Sequence, residues 1–321
     1  MRRCLYLVIS CLLCFLFLQA AEETGPGGPW LTGPLLTFSG TVMDKGQIEI
    51  APYVYSVTNT GEYNKDWKSI SIPHFHNIVF PVFLYYGITK TVDVLLIPQV
   101  VYNKTQGQSF TYLGDFSSFL DYQLIFPDKY KWFPGIKVSV GETFPLGKYQ
   151  KLNPHKKKTD STGNGVFQSN AQMILYKLLK LPNKHYLSLY LDFIAAFSPP
   201  VHVKGFNTYG GGFGTRGKVY QGATFNGIFS FEYTFTQNWA FAMDTYYIHK
   251  NKTRFTGQNG IDETGRPATS KSPSSEQLSF TPSLEYNFTD SLGIIGGAWF
   301  SALGRNSDNF RGFAIGLYYA N

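Results

Sequence analysis

Apolar and polar residues alternate along much of the chain with the period of two that is typical of β-strands. Between residues 223 and 235, mostly aromatic side chains occupy every second position and mostly polar side chains occupy the others. Residues 277–288 repeat this pattern, which gives each predicted strand one apolar and one polar face. Weaker alternation predicts further strands at 116–126, 187–197, 239–247 and 310–319. The chain is therefore predicted to be all-β.

The links between the predicted strands alternate between short and long, which favours a membrane barrel over a soluble sandwich. Five short links lie near 87–91, 127–132, 180–185, 236–239 and 289–291. Six longer links, rich in Lys, Gly, Asn and Ser, lie near 58–69, 104–113, 147–165, 198–221, 251–275 and 304–309. Outer-membrane barrels have short periplasmic turns and longer external loops. We therefore expect residues 46–321 to form a transmembrane antiparallel β-barrel of about 12 strands, with a narrow lumen that side chains or loops easily block.

The first 20 residues have the features of a signal peptide. Arg2 and Arg3 give a basic start, and the apolar run at 5–18 is too short to span a bilayer as a helix. All three cysteines lie within the first fourteen residues, so the mature chain is expected to have none. We expect a cleaved signal peptide at 1–20, a periplasmic segment at 21–45, and insertion into the bacterial outer membrane by the barrel-assembly machinery.

The formal net charge is +7, from 28 Lys and Arg against 21 Asp and Glu. Loss of the signal peptide leaves a mildly basic chain. This charge is too weak and too scattered to suggest nucleic acid, but it suits anionic lipid head groups of the outer membrane. The densest run is the surface-loop basic patch Lys156, Lys157 and Lys158, in a predicted outer loop. Two interpretations stay open for this patch: a solvated loop, or contact with lipid phosphates.

Strand parity turns a set of charged side chains toward the lumen, and these are the candidate site residues. They are Asp121, Lys137, Asp192 and Asp244 at similar depth, with Glu49, Glu232 and Glu285 nearer the periplasmic mouth. Asp121 and Lys137 lie on consecutive strands joined by a short turn, so they are able to form a cross-strand ion pair. The set is either scattered polar lining or a ring whose surplus of carboxylates favours cations.

Motifs for catalysis, metal binding or nucleotide binding are weak. His74 and His76 share one face of a predicted strand, but the sequence signals no third metal ligand. Residues 212–217 match a dinucleotide fingerprint, yet no helical pattern follows, so a surface loop is favoured. Nothing marks a nucleophile with its base. We therefore expect no enzyme, no metal and no cofactor.

Several short segments carry a resemblance to a known family. They are GQIEIAPY (46–53), YYGIT (85–89), GD (114–115), FPGIKVSVG (133–141), FPLG (144–147) and TGNG (162–165). With these segments the chain, over roughly 40–320, resembles bacterial outer-membrane transporter-like proteins labelled as putative components of the phenol-degradation meta pathway. The resemblance implies a β-barrel and the passage of small or aromatic solutes.

The sequence thus favours an outer-membrane channel or transporter for a small-molecule solute, with aromatic and hydrophobic solutes among the candidates. A non-conducting structural or surface-interaction barrel is the alternative, and an outer-membrane enzyme is the third reading. The contents of the lumen in a structure distinguish these three hypotheses.

Overall fold

The computed structural model describes residues 28–181 and 185–321, so the expected signal peptide at 1–20 lies outside the described residues. In chain order, the strands are β1 (Ile48–Tyr63), β2 (Ser69–Gly87), β3 (Val92–Ile97), β4 (Gln99–Thr105), β5 (Gln108–Leu113), β6 (Phe116–Ile125), β7 (Gly135–Phe144), β8 (Gln168–Lys180), β9 (Tyr186–Phe197), β10 (Val201–Lys204), β11 (Arg216–Tyr220), β12 (Thr224–Thr234), β13 (Trp239–Lys250), β14 (Arg254–Gln258), β15 (Ser275–Asn287), β16 (Leu292–Arg305) and β17 (Ser307–Ala320). One short 3₁₀ turn spans Pro154–Lys156.

Antiparallel pairing closes the main sheet into a barrel, because β1 pairs with β17 on one side and with β2 on the other. Two wall strands are each interrupted once. β3 and β4 meet at Pro98, which has no N–H to donate to the ladder. β5 and β6 meet at Gly114 and Asp115. The wall therefore has twelve strands, and the predicted fold is confirmed.

Three connections predicted to be long are tight turns. They are 64–68 between β1 and β2, Gln106–Gly107 between β4 and β5, and Asn306 between β16 and β17. Gln106 and Gly107 have φ values of 45° and 78°, the left-handed backbone that a two-residue hairpin requires. Strands that project past an apolar belt are polar on both faces, and their composition therefore resembles that of a loop. The predicted loops near 58–69, 104–113 and 304–309 are mostly strand.

The outer face of the wall is apolar. On β17, Phe313, Ile315, Leu317 and Tyr319 are exposed, and the buried residues between them point inward. Exposed aromatic side chains gather at the end with the short turns, among them Tyr86, Phe235, Trp239 and Phe288. In the described ranges, no helix is long and apolar enough to cross a membrane.

At the opposite end, three outer connections fold together. β10, β11 and β14 form a separate three-stranded sheet. A small core holds it to the connection before β8, and its buried members are Val166, Val201, Val203, Val219 and Phe255. Residues 145–167, here called the lysine loop, also bond to the 205–215 connection, for example Leu152 N to Phe206 O at 2.9 Å. These loops form a folded cap on this end of the barrel.

Candidate functional site in the barrel lumen

The seven charged residues expected to line the lumen are all buried on the inner side of the wall. Asp192, Asp244, Glu232 and Glu285 are fully buried, and Lys137, Asp121 and Glu49 are 1%, 2% and 7% exposed. The alternation of these strands points their neighbours to the outer face and turns these side chains inward. Each of them lies where strand parity places it.

Asp121 and Lys137 form an ion pair across β6 and β7, with Nζ and Oδ2 3.1 Å apart. Asp93 on β3 stands opposite Asp121 in the register and belongs to the same cluster. The Lys137 ammonium also lies 5.8 Å from the ring centre of Tyr85. Asp93 is not among the residues predicted from the sequence, although its place between Val92 and Val94 has the same alternation signal. One lysine therefore lies in a cluster with two buried carboxylates and pairs with one of them, Asp121.

The lumen is occupied by the chain's own residues 30–43, here called the lumen segment. We expected residues 21–45 to lie in the periplasm as a separate segment, but the described part runs along the inner wall instead. This stretch contains Gly33, Pro34 and Gly40 and adopts no helix or strand, so its backbone N–H groups have no regular partners within the segment, although Thr41 N–H donates to Ser39 Oγ at 3.4 Å. Buried amides need acceptors, and the wall supplies them.

Two glutamates hold the start of the lumen segment. Glu285 accepts the Thr32 N–H at 2.5 Å, and Glu232 accepts the Gly33 N–H at 2.9 Å. The other oxygen of Glu232 accepts hydrogen bonds from the hydroxyls of Ser188 and Tyr190, at 2.7 and 2.9 Å. Both oxygens of Glu232 thus accept hydrogen bonds, whereas Glu285 accepts through Oε1 alone, from Thr32 N–H and from Asn287 Nδ2 at 2.6 Å.

The middle of the segment is held by β12 and β13. Thr37 Oγ1 lies 2.5 Å from Ser230 Oγ and donates to Asp244 Oδ1 at 3.2 Å. Ser230 Oγ donates to the same carboxylate at 2.6 Å. On the next strands, both oxygens of Asp192 accept from Gln172 Nε2, at 3.0 and 2.8 Å. Thr37, Ser230 and Gln172 carry no charge and no motif, so the sequence alone did not identify them.

The end of the segment is fixed on the opposite side of the barrel. Val42 N–H donates to Gln123 Oε1 at 3.0 Å, and Met43 N–H donates to Asp93 Oδ2 at 2.7 Å. The segment therefore crosses the lumen from the glutamates on β12 and β15 to the polar side chains on β3 and β6.

Apolar contacts fill the space between these polar anchors. Leu35, 2% exposed, packs against Ala242, Ile295 and Ala314. Phe38 lies 5.9 Å from the ring of Phe83 and 5.8 Å from that of Phe119, centre to centre. Gly40 lies against the Tyr176 ring, where a Cβ would come within 2.5 Å of ring atoms. Side-chain volume and hydrogen bonding both fit this segment to this wall.

Two cavities remain in the interior. One of about 230 Å³ lies between the lumen segment and the wall, and its polar lining includes Glu49, Tyr85, Tyr176 and Tyr190. A second of about 480 Å³ has a lining that includes Phe75, Tyr246, Trp299 and Phe310 together with Asn77, Lys250, Gln277 and Asp308. These residues lie in the halves of their strands that are farther from the short turns. We call this second space the outer chamber.

Asp115, at the break between β5 and β6, fastens the lysine loop. Its two oxygens accept the N–H groups of Gly147 and Asn164, at 2.9 and 2.8 Å. Gly163 packs against Gly147, where a Cβ would lie 2.7 Å from the Gly147 Cα. Three of the segments that carry the family resemblance, at 114–115, 144–147 and 162–165, thus form one structural unit.

Within the cap, Tyr209 Oη donates to Asn164 O at 2.6 Å, and burial raises the pKa of this hydroxyl. In the basic patch, Lys156 Nζ lies 4.2 Å from the ring centre of Phe110, and Lys157 Nζ donates to Gln106 Oε1. Lys158 is exposed. Two of the three lysines are therefore engaged with the β4–β5 hairpin.

The histidine pair on β2 has no partners suited to a metal. The rings of His74 and His76 are 6.5 Å apart, and Thr58 Oγ1 lies 2.9 Å from His76 Nδ1. Over residues 28–181 and 185–321, no group of three or more His, Cys, Asp or Glu side chains could hold a metal ion. Residues 212–215 lie in the connection from β10 to β11, and residues 216–217 are the first two of β11. A strand and not a helix therefore follows the fingerprint-like stretch.

Comparison with known proteins identifies the fold class. A scan against protein-family models gave no match, and a search of curated proteins gave no significant one. The chain is similar to an outer membrane channel from Pseudomonas putida F1, with 14% sequence identity, a TM-score of 0.61, and coverage of 94% of this chain and 99% of that chain. It also matches the translocator domain of the autotransporter NalP from Neisseria meningitidis, with 12% identity, a TM-score of 0.42, and coverage of 86% and 89%. The first likeness shows the fold, a closed twelve-stranded antiparallel barrel.

Proposed function

We propose that this barrel is a bacterial outer-membrane channel for small solutes, aromatic and hydrophobic ones among them, and that the lumen segment closes it at rest. The observation that carries the proposal is the way in which the segment is held. Its backbone N–H groups donate to wall carboxylates, and water or cations would also satisfy these carboxylates. Release of the lumen segment therefore replaces one set of polar partners with another. An interior built only for rigidity needs no such exchangeable contacts.

The outer surface supports the membrane location. A continuous apolar face with aromatic side chains at one end is typical of outer-membrane barrels, and an even number of strands closes them. The Pseudomonas putida protein of the same fold is an outer membrane channel. In this location the short turns and the start of the lumen segment face the periplasm, and the cap faces outward.

The outer chamber supports the solute class. Its volume of about 480 Å³ lies within the range of small-molecule sites. Aromatic rings such as Trp299 and Phe310, whose centres lie 5.2 Å apart, offer stacking surfaces. Asn77 and Gln277 offer hydrogen bonds to a polar substituent. A phenolic solute would use both kinds of contact.

Conductance in planar bilayers tests the proposal. Wild-type protein should conduct little, and deletion of residues 30–43 should give a steady, larger current that phenol reduces. A cysteine pair, Thr37→Cys with Ser230→Cys, gives a reversible version, because the two hydroxyl oxygens lie 2.5 Å apart and cysteine otherwise occurs only within the first fourteen residues. Oxidation should remove the small residual current of the resting channel, and a reductant should restore it.

The same recordings test the carboxylates. In the opened channel, Asp244 loses its contact with Thr37 and both Asp192 and Asp244 face the open lumen, so reversal potentials under a salt gradient should show a cation preference. Asp192→Asn with Asp244→Asn should reduce it. An unchanged reversal potential in a conducting variant would remove these residues from ion selection.

The filled lumen favours one second candidate, a non-conducting structural barrel. If the deletion variant folds but never conducts, and the reduced cysteine pair never conducts either, the structural function replaces the channel.

A further inference from the structure

The turn between β6 and β7, residues 126–134, exposes large aromatic side chains. Tyr130, Trp132 and Phe133 are 50%, 49% and 42% exposed. Lys129 and Lys131 alternate with them and are also exposed. Tyrosine and tryptophan beside lysine are the side chains that gather at the boundary between lipid and water, because each has an apolar body and a polar end.

Lys177 on β8 fixes this turn against the outside of the wall. Strand parity points Lys177 outward, opposite Leu189 on β9, yet it is only 7% exposed. Its Nζ donates to the carbonyl oxygens of Pro127, Tyr130 and Phe133, at 2.9, 2.9 and 3.0 Å. The turn thus packs against the outer face of the wall at this point and does not extend away from the end of the barrel.

The apolar wall next to the turn indicates what surrounds it. On β6, which leads into the turn, Leu120, Tyr122 and Leu124 are 49%, 47% and 54% exposed on the outer face. This exposed apolar surface needs lipid around it. The aromatic side chains of the turn therefore lie at the edge of a lipid-facing surface, at head-group depth.

The charges of the turn specify the head group. Lys129 Nζ lies 5.5 Å from the ring centre of Tyr130, and Lys131 Nζ lies 6.0 Å from that of Trp132, so both ammonium groups stay beside the aromatic surface. Asp128 is the one acid of the turn, and Lys180 is exposed on the neighbouring strand. The excess of positive charge attracts anionic lipid.

We propose that the 126–134 turn binds the phosphate of an anionic phospholipid in the periplasmic leaflet, with Lys129 and Lys131 on the phosphate and Tyr130 and Trp132 among the head groups. The proposal rests on the membrane location given above. Turns 235–238 and 288–291 also expose aromatic side chains but contain no lysine. Turn 88–91 has one lysine, Lys90, beside Tyr86, which is 48% exposed. Lipid selection is thus strongest at the 126–134 turn, which has two lysines among its aromatic side chains.

Fluorescence quenching in vesicles tests the site, with the full barrel reconstituted in phosphatidylcholine that contains brominated lipid. The difference between wild type and Trp132→Phe isolates the signal of Trp132. Brominated phosphatidylglycerol should half-quench Trp132 at about one-fifth of the mole fraction that brominated phosphatidylcholine requires, since one lysine near an anionic surface is worth about a fivefold enrichment.

Trp239 is the matched control, because it is 46% exposed at the same end of the barrel and its turn has no lysine. It should be quenched equally by both lipids. Lys129→Gln with Lys131→Gln should abolish the preference at Trp132 and leave its quenching by phosphatidylcholine unchanged. Inorganic phosphate at millimolar concentration should not compete.

Equal quenching of Trp132 by both lipids would overturn the lipid site, as would a preference that survives both glutamine substitutions. Competition by inorganic phosphate would overturn the lipid as ligand and identify a free-anion site. Absence of quenching at Trp239 would instead show that the barrel is not in the bilayer, which refutes the membrane location itself.

Discussion

Replacing Thr37 with valine tests how firmly the wall holds the lumen segment. Valine has nearly the shape of threonine but removes both contacts of Oγ1, to Ser230 at 2.5 Å and to Asp244 at 3.2 Å. Ser230 still donates to Asp244 at 2.6 Å, so the wall keeps its own hydrogen bond. A buried hydrogen bond contributes about 1 kcal/mol, and somewhat more when its partner is charged. We therefore expect Thr37→Val to weaken docking of the segment by about 1 to 2 kcal/mol.

That loss corresponds to release of the segment about 5 to 30 times more often. Hydrogen–deuterium exchange in micelles measures the release at the amides of Val42 and Met43, which the wall holds. They should exchange faster by this factor, while amides of the wall strands stay unchanged. Thr41→Val is the matched control, because Thr41 Oγ1 makes no hydrogen bond to the described residues. Equal exchange in wild type and Thr37→Val, or equal acceleration by both valine variants, would refute the reasoning.

Further predictions concern orientation, the buried ion pair and the cap. A cysteine at Ser272, in an outer connection, should react with an impermeant reagent on intact cells, and one at Asp290, in a short turn, only after rupture of the outer membrane; the reverse order would invert the barrel. Lys137→Met should lower the free energy of unfolding in urea by about 3 to 5 kcal/mol, because it leaves Asp121 buried without its cation, and adding Asp121→Asn should recover part of the loss. Asp115→Ala should speed tryptic cleavage of the lysine loop, and Asp115→Asn should do so less, since the amide keeps one acceptor; equal rates would show that Asp115 does not fasten the loop.

The wall of the barrel follows from local pattern, and that is why the sequence predicts it well. Alternation fixes which side chains point inward, and it applies to every residue of a strand without reference to distant parts of the chain. Asp121 and Lys137 could be paired in advance because a short turn joins their strands. Loop lengths were predicted less well. The segment near 104–113 is polar and was therefore predicted to be a loop. All of its residues except Gln106 and Gly107 belong to β4 or β5, which extend beyond the apolar belt.

The lumen segment could not be predicted because its partners lie far along the chain. Thr32 bonds to a residue 253 positions away, and Gly33 to one 199 positions away. Within residues 30–43, the glycines and Pro34 give no periodicity, so the stretch has the composition of a linker. A linker and an extended plug differ only in whether the wall offers acceptors to their amides, and the acceptors Asp93, Gln123, Glu232 and Glu285 lie on four different strands.

The excess of acid over base inside the barrel has a simple explanation in these contacts. A carboxylate only accepts hydrogen bonds, and an extended backbone without a neighbouring strand has unsatisfied N–H donors. Asp93, Glu232 and Glu285 each accept one such N–H, and Gln123 accepts another through its amide oxygen. A lumen lined for cations alone would have no reason to place these acceptors against the N–H groups of the lumen segment. Four of the carboxylates that strand parity points into this barrel, Asp93, Asp244, Glu232 and Glu285, are therefore matched to its own chain. Under the proposed function, they become available to ions when that chain withdraws.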